Sequence, residues 1–378
     1  MSLQRQQHGF ALVELLAVIV IVGMIVALLL PALAASAAQA NRVACENKLR
    51  QLGLALMNFE SAQKRFPTVQ FNFSAAAAAP EDCRPADASG GKSTTGYSWI
   101  IRILPQLEEN NFYSNLSEKS KRFSIQNGPF DPSLVTRTFT TQHVSCAPLL
   151  TAICPDWAGN AYTRNKMTID AGRAANPDEP DEQGAPEYAA VDAATPGAGD
   201  ESFKGRVGAT CYKPMVGTHM LNGMPVENGG MVLASGQGLT FQDFGDGTSK
   251  TILLSESKEC GYVSWYDGTL NWLVGNDPNK PAPGADDKPP WTNAAVALNK
   301  GFDPKDANSV PYLKKDKSSN KPQNDVWWGP SSDHAGGIVY HVFADIHTLG
   351  ITDACDPATY LALITRDSGE RIDDTKIK

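Results

Sequence analysis

Excess positive charge is missing from this chain, and so are the motifs that mark many enzyme classes. Lys and Arg total 33 against 41 Asp and Glu, for a formal net charge of −8. A nucleic-acid partner is disfavoured, because binding phosphates needs a basic face. None of the seven cysteines (Cys45, Cys83, Cys146, Cys154, Cys211, Cys260, Cys355) belongs to a C-x-x-C pair, which argues against zinc ribbons and thioredoxin-like chemistry. No nucleophile elbow supports a hydrolase built on Ser332, His334 and Asp345. From Leu15 through Asn41 no side chain carries a formal charge at all.

That uncharged run is the most informative thing present. About 20 apolar residues cross a bilayer as a helix, and residues 10–31 are long enough. In hydrocarbon the backbone must satisfy its own hydrogen bonds, so a single span has to be helical. Pro31 has no N–H to offer the helix and should loosen it near Ala27. Glu14 is the misfit: a carboxylate inside a membrane helix costs roughly 2.5–3.5 kcal/mol on insertion scales and calls for a partner. Without one, it would have to reach the interface and water.

The stretch Gly9-Phe10-Ala11-Leu12-Val13-Glu14-Leu15-Leu16 resembles the processing site of type IV prepilins and type II secretion pseudopilins. Gly stands before the cut, Phe after it, Glu at the fifth mature position and Pro31 at the twenty-second. The resemblance implies that a prepilin peptidase removes residues 1–9 and that the new amino group of Phe10 is methylated. It also gives Glu14 a partner, the freed amine of a neighbouring subunit, and so a role in filament register. Two other readings compete. A secretory signal peptide could be cut near Ala32-Leu33-Ala34, but its core would be shorter and Glu14 is unfavourable there. An uncleaved single-pass anchor is the other.

The helix is expected to continue outward to about Arg65. Cys45, Leu49, Leu52, Leu56, Phe59 and Gln63 recur at intervals of four and three, one face of an amphipathic helix, and Pro67 closes the pattern. The domain reading follows: a leader over 1–9, a helix over 10–66 (10–31 transmembrane, 32–66 amphipathic) and a head over 67–378 with insertions near 72–96, 172–202 and 275–324. Strand-like segments fall at 230–234, 251–255, 262–265, 337–344 and 347–351, and Asp356-Pro357 opens a short helix. The fold class expected is α+β: a long N-terminal helix packed on an antiparallel sheet, pilin-like. Disulfides are plausible in an oxidising compartment, with Cys45 expected as the thiol left over from an odd count.

Further segments look like one large bacterial family of prepilin-type proteins, whose C-terminal domain of unknown function ends in a His-x9-Asp-Gly signature. They are Ile153-Cys154-Pro155-Asp156; Tyr212 to Gly217; Asp246-Gly247-Thr248-Ser249 leading to Glu256; Ser332-Asp333-His334-Ala335-Gly336-Gly337 leading to Asp345; and Thr365 to Glu370. Here ten residues separate His334 from Asp345, and Ile346 stands where the family has Gly. The extra residue suggests a bulge, and the lost glycine an impaired tight turn. His334, His341 and His347 with Asp333 and Asp345 invite a metal reading, but their spacing matches no known ligand motif. Calcium is conceivable, although Asp243 and Asp246 lack EF-hand spacing. Glu256 and Arg366 are a candidate structural ion pair.

The function expected is a structural subunit of a type II secretion or type IV pilus-like filament, neither an enzyme nor cofactor-dependent. Its partners would be prepilin peptidase, related pilin subunits, inner-membrane assembly machinery and the lipid bilayer. The head would stand outside the cytoplasm, in the periplasm or at the cell surface. The alternative is a single-pass anchored envelope binding module with no filament role.

Overall fold

Residues rich in Leu, Ala, Val and Ile, with one internal proline, form α1 over Leu12–Gln63, 52 residues or about 78 Å of helix. The computed structural model describes residues 12–72, 94–119, 137–139, 142–143, 148–157, 208–221, 224–233, 238–258, 265–266, 268, 271–277, 283, 289–291, 293–299, 329–370 and 372–377. The helix passes through Pro31 without a break and ends where Lys64 turns to φ 60, three residues ahead of Pro67. Most of the expected apolar face is buried: Cys45, Leu49, Leu52 and Leu56 are inaccessible, joined by Ala55. Gln63 is exposed, while Glu60 in the same last turn is still buried.

The remaining elements are β1 (Gln70–Asn72), β2 (Thr94–Ser98), α2 (Trp99–Ile103), α3 (Asn110–Lys119), β3 (Arg137–Phe139), β4 (Gln142–His143), β5 (Tyr212–Gly217), β6 (Met220–Leu221), β7 (Met224–Pro225), β8 (Ile252–Glu256), β9 (Leu273–Val274), β10 (Val339–Phe343), β11 (Thr348–Ile351) and α4 (Pro357–Ala362). The main sheet has the order β11-β10-β8-β5-β9. It is mixed: three pairings are antiparallel, while β5 and β9 run parallel. The expected strands at 251–255, 337–344 and 347–351 correspond to β8, β10 and β11. Residues 230–233 are not a strand, and 262–264 lie outside the described residues.

Alternation along the strands separates two apolar clusters, as the period of two requires. On β10, Tyr340 and Val342 face α1, while Val339 and Phe343 pack with Tyr360 and Leu361 of α4 on the opposite face. Trp291, Val296 and Leu298 belong to that second cluster. Between β8 and β10 the register slips, and the extra residue is on β8, where Leu253 and Leu254 both join the α1-side cluster. The β10–β11 hairpin itself is regular. Asp356 caps α4 as expected, its carboxylate accepting from the Thr359 amide at 3.0 Å and hydroxyl at 2.7 Å.

Candidate functional site

Two regions carry functional interest, and the first is the N-terminal half of α1. Gly9 and Phe10 lie outside the described residues, as does the side chain of Glu14, whose backbone is in the first turns of α1. From Leu15 to Leu33 every large hydrophobic side chain is exposed, Leu28 by 75%. Among the described residues α1 is the one helix long and apolar enough to cross a membrane.

The second region lies where α1 meets the head. Cys45 is disulfide-bonded to Cys154, 109 residues away, with their Cα atoms 4.8 Å apart. This overturns the expectation that Cys45 is the odd thiol: helical spacing gave it an apolar neighbourhood but could not show what faces it. Cys211 and Cys355 are buried, and Cys83, Cys146 and Cys260 lie outside the described residues. Closing so long a loop stabilises by about 4.7 kcal/mol on the chain-entropy account, for roughly 100 residues.

Beside the disulfide sits a buried histidine held between two carboxylates. Strand alternation on β8 and β10 turns Glu256 and Tyr340 toward α1. Glu256 Oε1 is 3.2 Å from His334 Nε2, and its Oε2 accepts from the Tyr340 amide at 2.9 Å. His334 Nδ1 is 2.7 Å from Asp156 Oδ2, and Asn41 on α1 donates to the other Asp156 oxygen at 3.2 Å. His334 Nε2 also stands 4.0 Å from Cys154 Sγ. Gly336 and Gly337 follow at φ 87 and 67, conformations that glycine adopts readily, and the Gly337 amide closes the turn on the His334 carbonyl at 3.1 Å.

More of α1 grips the same place. Arg42 donates to the Ala335 carbonyl, Lys48 to the carbonyls of Leu150 and Ile153 at 2.7 and 2.9 Å, and Thr348 donates to Glu46 at 2.5 Å. Tyr212 on β5 donates to the Cys45 carbonyl at 3.1 Å, and burial pushes its hydroxyl well above the ordinary tyrosine range. One helical stretch, 41–48, is therefore fastened to four separate segments of the head.

The electrostatics favour an imidazolium. Burial pulls His334 down, but Glu256 and Asp156 outweigh it and raise its pKa above the ordinary value. Burial pushes Glu256 up, against the lowering influence of His334 and the Tyr340 amide. With both ring nitrogens facing carboxylates, the protonated ring donates twice.

The other motif residues do not converge on this cluster. His341 faces α4, bonded to the Val339 carbonyl and the Tyr360 hydroxyl, each at 3.0 Å. Asp345 accepts from the His347 amide at 3.2 Å and from its ring at 2.5 Å. The metal reading that joins His334, His341, His347 and Asp345 fails on geometry: alternation sends His341 through the sheet, and the β10–β11 turn carries Asp345 and His347 away. Asp246 accepts from the amides of Ser368 and Gly369 at 2.8 and 2.7 Å, with Gly247 at φ 100, and Thr248 O receives the Asp345 amide. These motifs are turns that lock onto one another. Arg366 donates to the carbonyls of Glu227 and Gly229 and does not pair with Glu256, which the histidine occupies. Asn41 carries no sequence signal of its own, and Asp156, although it stands in the Ile153–Asp156 segment, shows nothing there of its histidine partner 178 residues away.

Among the described residues one group has metal-ligating character: Cys45, Cys154, Glu256 and His334, with donor atoms within 4.8 Å of one another.

A long apolar helix docked by its distal half on an α+β head is a pilin-like plan. The prokaryotic N-terminal methylation motif matches residues 4–30. A second family model, described as protein of unknown function (DUF1559), matches residues 36–358, and the chain belongs to that family. No curated protein and no solved structure matches. The protein is prepilin-like in its N-terminus and membrane-anchored through it.

Proposed function

We propose that the protein is a structural subunit of a type II secretion or type IV pilus-like filament. Prepilin peptidase would cut after Gly9, and α1 would span the inner membrane once with the head outside the cytoplasm. Assembly machinery would then extract the subunit so that its apolar helix packs against those of related subunits. The carrying observation is the bare run from Leu15 to Leu33, matched to a methylation motif at its start. A helix with no apolar stripe but apolar all round belongs in lipid or in a helical core. Glu14 would meet the freed Phe10 amine of a neighbour, an attraction strong in low dielectric. The role requires neither catalysis nor a bound cofactor such as calcium.

Intact mass and N-terminal sequencing of the native protein test this reading. An N-methylated Phe10 start supports it; a retained Met1 or a start near Ala35 overturns it. Cross-linking between neighbouring α1 helices separates a filament subunit from a single-pass envelope binding module, which would give none.

A further inference from the structure

The junction cluster holds a chemistry that neither its disulfide nor a filament role uses. We propose that, when the Cys45–Cys154 bond is reduced, Cys45, Cys154, His334 and Glu256 form a tetrahedral site for a zinc-class divalent ion. Two thiolates, an imidazole nitrogen and a carboxylate oxygen are ligand types that zinc takes. All four residues are buried and their donor atoms lie within 4.8 Å of one another.

The distances suit such an ion. Bond lengths of about 2.0–2.3 Å place neighbouring donors of a tetrahedral site roughly 3.3–3.8 Å apart. Here His334 Nε2 stands 3.2 Å from Glu256 Oε1 and 4.0 Å from Cys154 Sγ. The two sulfurs must part from bonding distance, and donors that stand up to 4.8 Å apart must close in by up to about 1 Å.

The ligands are also held from behind. Asp156 binds His334 Nδ1 at 2.7 Å, leaving Nε2 toward the sulfurs; a carboxylate on the far nitrogen is what orients metal-binding histidines. Asn41 steadies Asp156, and the Tyr340 amide takes the Glu256 oxygen that faces away. In the disulfide form the protonated ring fills the space between the carboxylates. In the reduced form the ion takes the place of the proton on Nε2.

The chemistry balances with a dithiol as reductant. The dithiol leaves as its own disulfide and its two protons pass to the Cys45 and Cys154 sulfurs; on binding, the divalent ion releases those two and the Nε2 proton of the imidazolium, three in all. Disulfide and metal are thus alternative staples between α1 and the head, using the same two sulfurs.

The test uses the full chain in detergent, reduced anaerobically with a dithiol, desalted, and titrated with cobalt(II) and then zinc(II). A thiolate-to-cobalt charge-transfer band with tetrahedral d–d bands is expected, saturating at a single ion and displaced by zinc. Unreduced protein should show neither band. Cys45→Ser and His334→Gln should remove or shift the bands. Asp156→Asn, which keeps all four ligands, should weaken cobalt binding about 10–100-fold. Absence of the thiolate band in reduced protein overturns the proposal. So do bands unchanged in Cys45→Ser or His334→Gln, since the ion would then sit on other cysteines. Near-ultraviolet circular dichroism follows the fold: if reduction abolishes the signal and cobalt does not restore it, the proposal also fails.

Discussion

Ile346 fills the gap that Gly53 leaves in α1. A Cβ added at Gly53 would stand 3.4 Å from Ile346 Cδ1 and 3.0 Å from Val342 Cγ2. Ile346 does this from φ 72, a left-handed conformation costly for a β-branched residue. The turn therefore keeps its shape without glycine, and its side chain is 95% withdrawn from solvent, at 5% exposure.

Gly53→Leu should unseat α1 from the hairpin and cost about 1–3 kcal/mol through overpacking. Ile346→Gly should also destabilise. Relief of strain worth about 1–2 kcal/mol is smaller than the roughly 2–5 kcal/mol lost when a large buried side chain is removed. Denaturation of both variants followed by circular dichroism checks this, and a stabilised Ile346→Gly would contradict it.

Removing the disulfide should cost about 2–5 kcal/mol under oxidising conditions. Cys45→Ser and Cys154→Ser should each show most of this loss, and the double variant little more, because the two changes delete one bond. Chemical denaturation of the three proteins in parallel is the measurement; additive losses would mean that the bond is not what the single changes remove.

His341 makes stability depend on pH. Burial lowers its pKa from 6.5 to about 3, so the folded chain refuses a proton that the unfolded chain accepts. The contribution is present above pH 6.5 and is lost as pH falls toward 3, with a slope of up to about 1.4 kcal/mol per unit. His341→Gln should have a flatter profile across that window. Denaturation midpoints at several pH values decide it, and parallel profiles would exclude the assignment.

At the N-terminus, Gly9→Leu should leave an uncut protein in the membrane, seen as a mass that still includes residues 1–9. Glu14→Leu should insert more easily and still be trimmed, yet fail to enter sheared, sedimentable polymer. Normal trimming of Gly9→Leu, or normal polymer from Glu14→Leu, would count against the filament role.

What was legible in the sequence follows the reach of each interaction. The helix over Leu12–Gln63, its buried seam and the Asp356 cap depend on neighbours three or four residues apart, and each could be read directly. Strands β8, β10 and β11 showed through their β-branched and aromatic content. β5 did not, although it lies between β8 and β9: Pro214 within it reads as a breaker, yet at that position β5 pairs with β8 alone, the β9 pairing starting at Met215. The junction was the least visible part. His334, Glu256 and Cys154 each stand in a recognisable motif, but nothing in those motifs says that they meet. Their approach is set by the sheet, which no local pattern encodes.

Cys45 lies 18 residues before the end of α1 at Gln63, where the main chain itself leads into the head. The docked segment is therefore covalently tied at both of its ends. A tug on the membrane end of the rod can peel only the Asn41 and Arg42 contacts; at Cys45 the load passes through the disulfide into Cys154, and the head is towed as a unit.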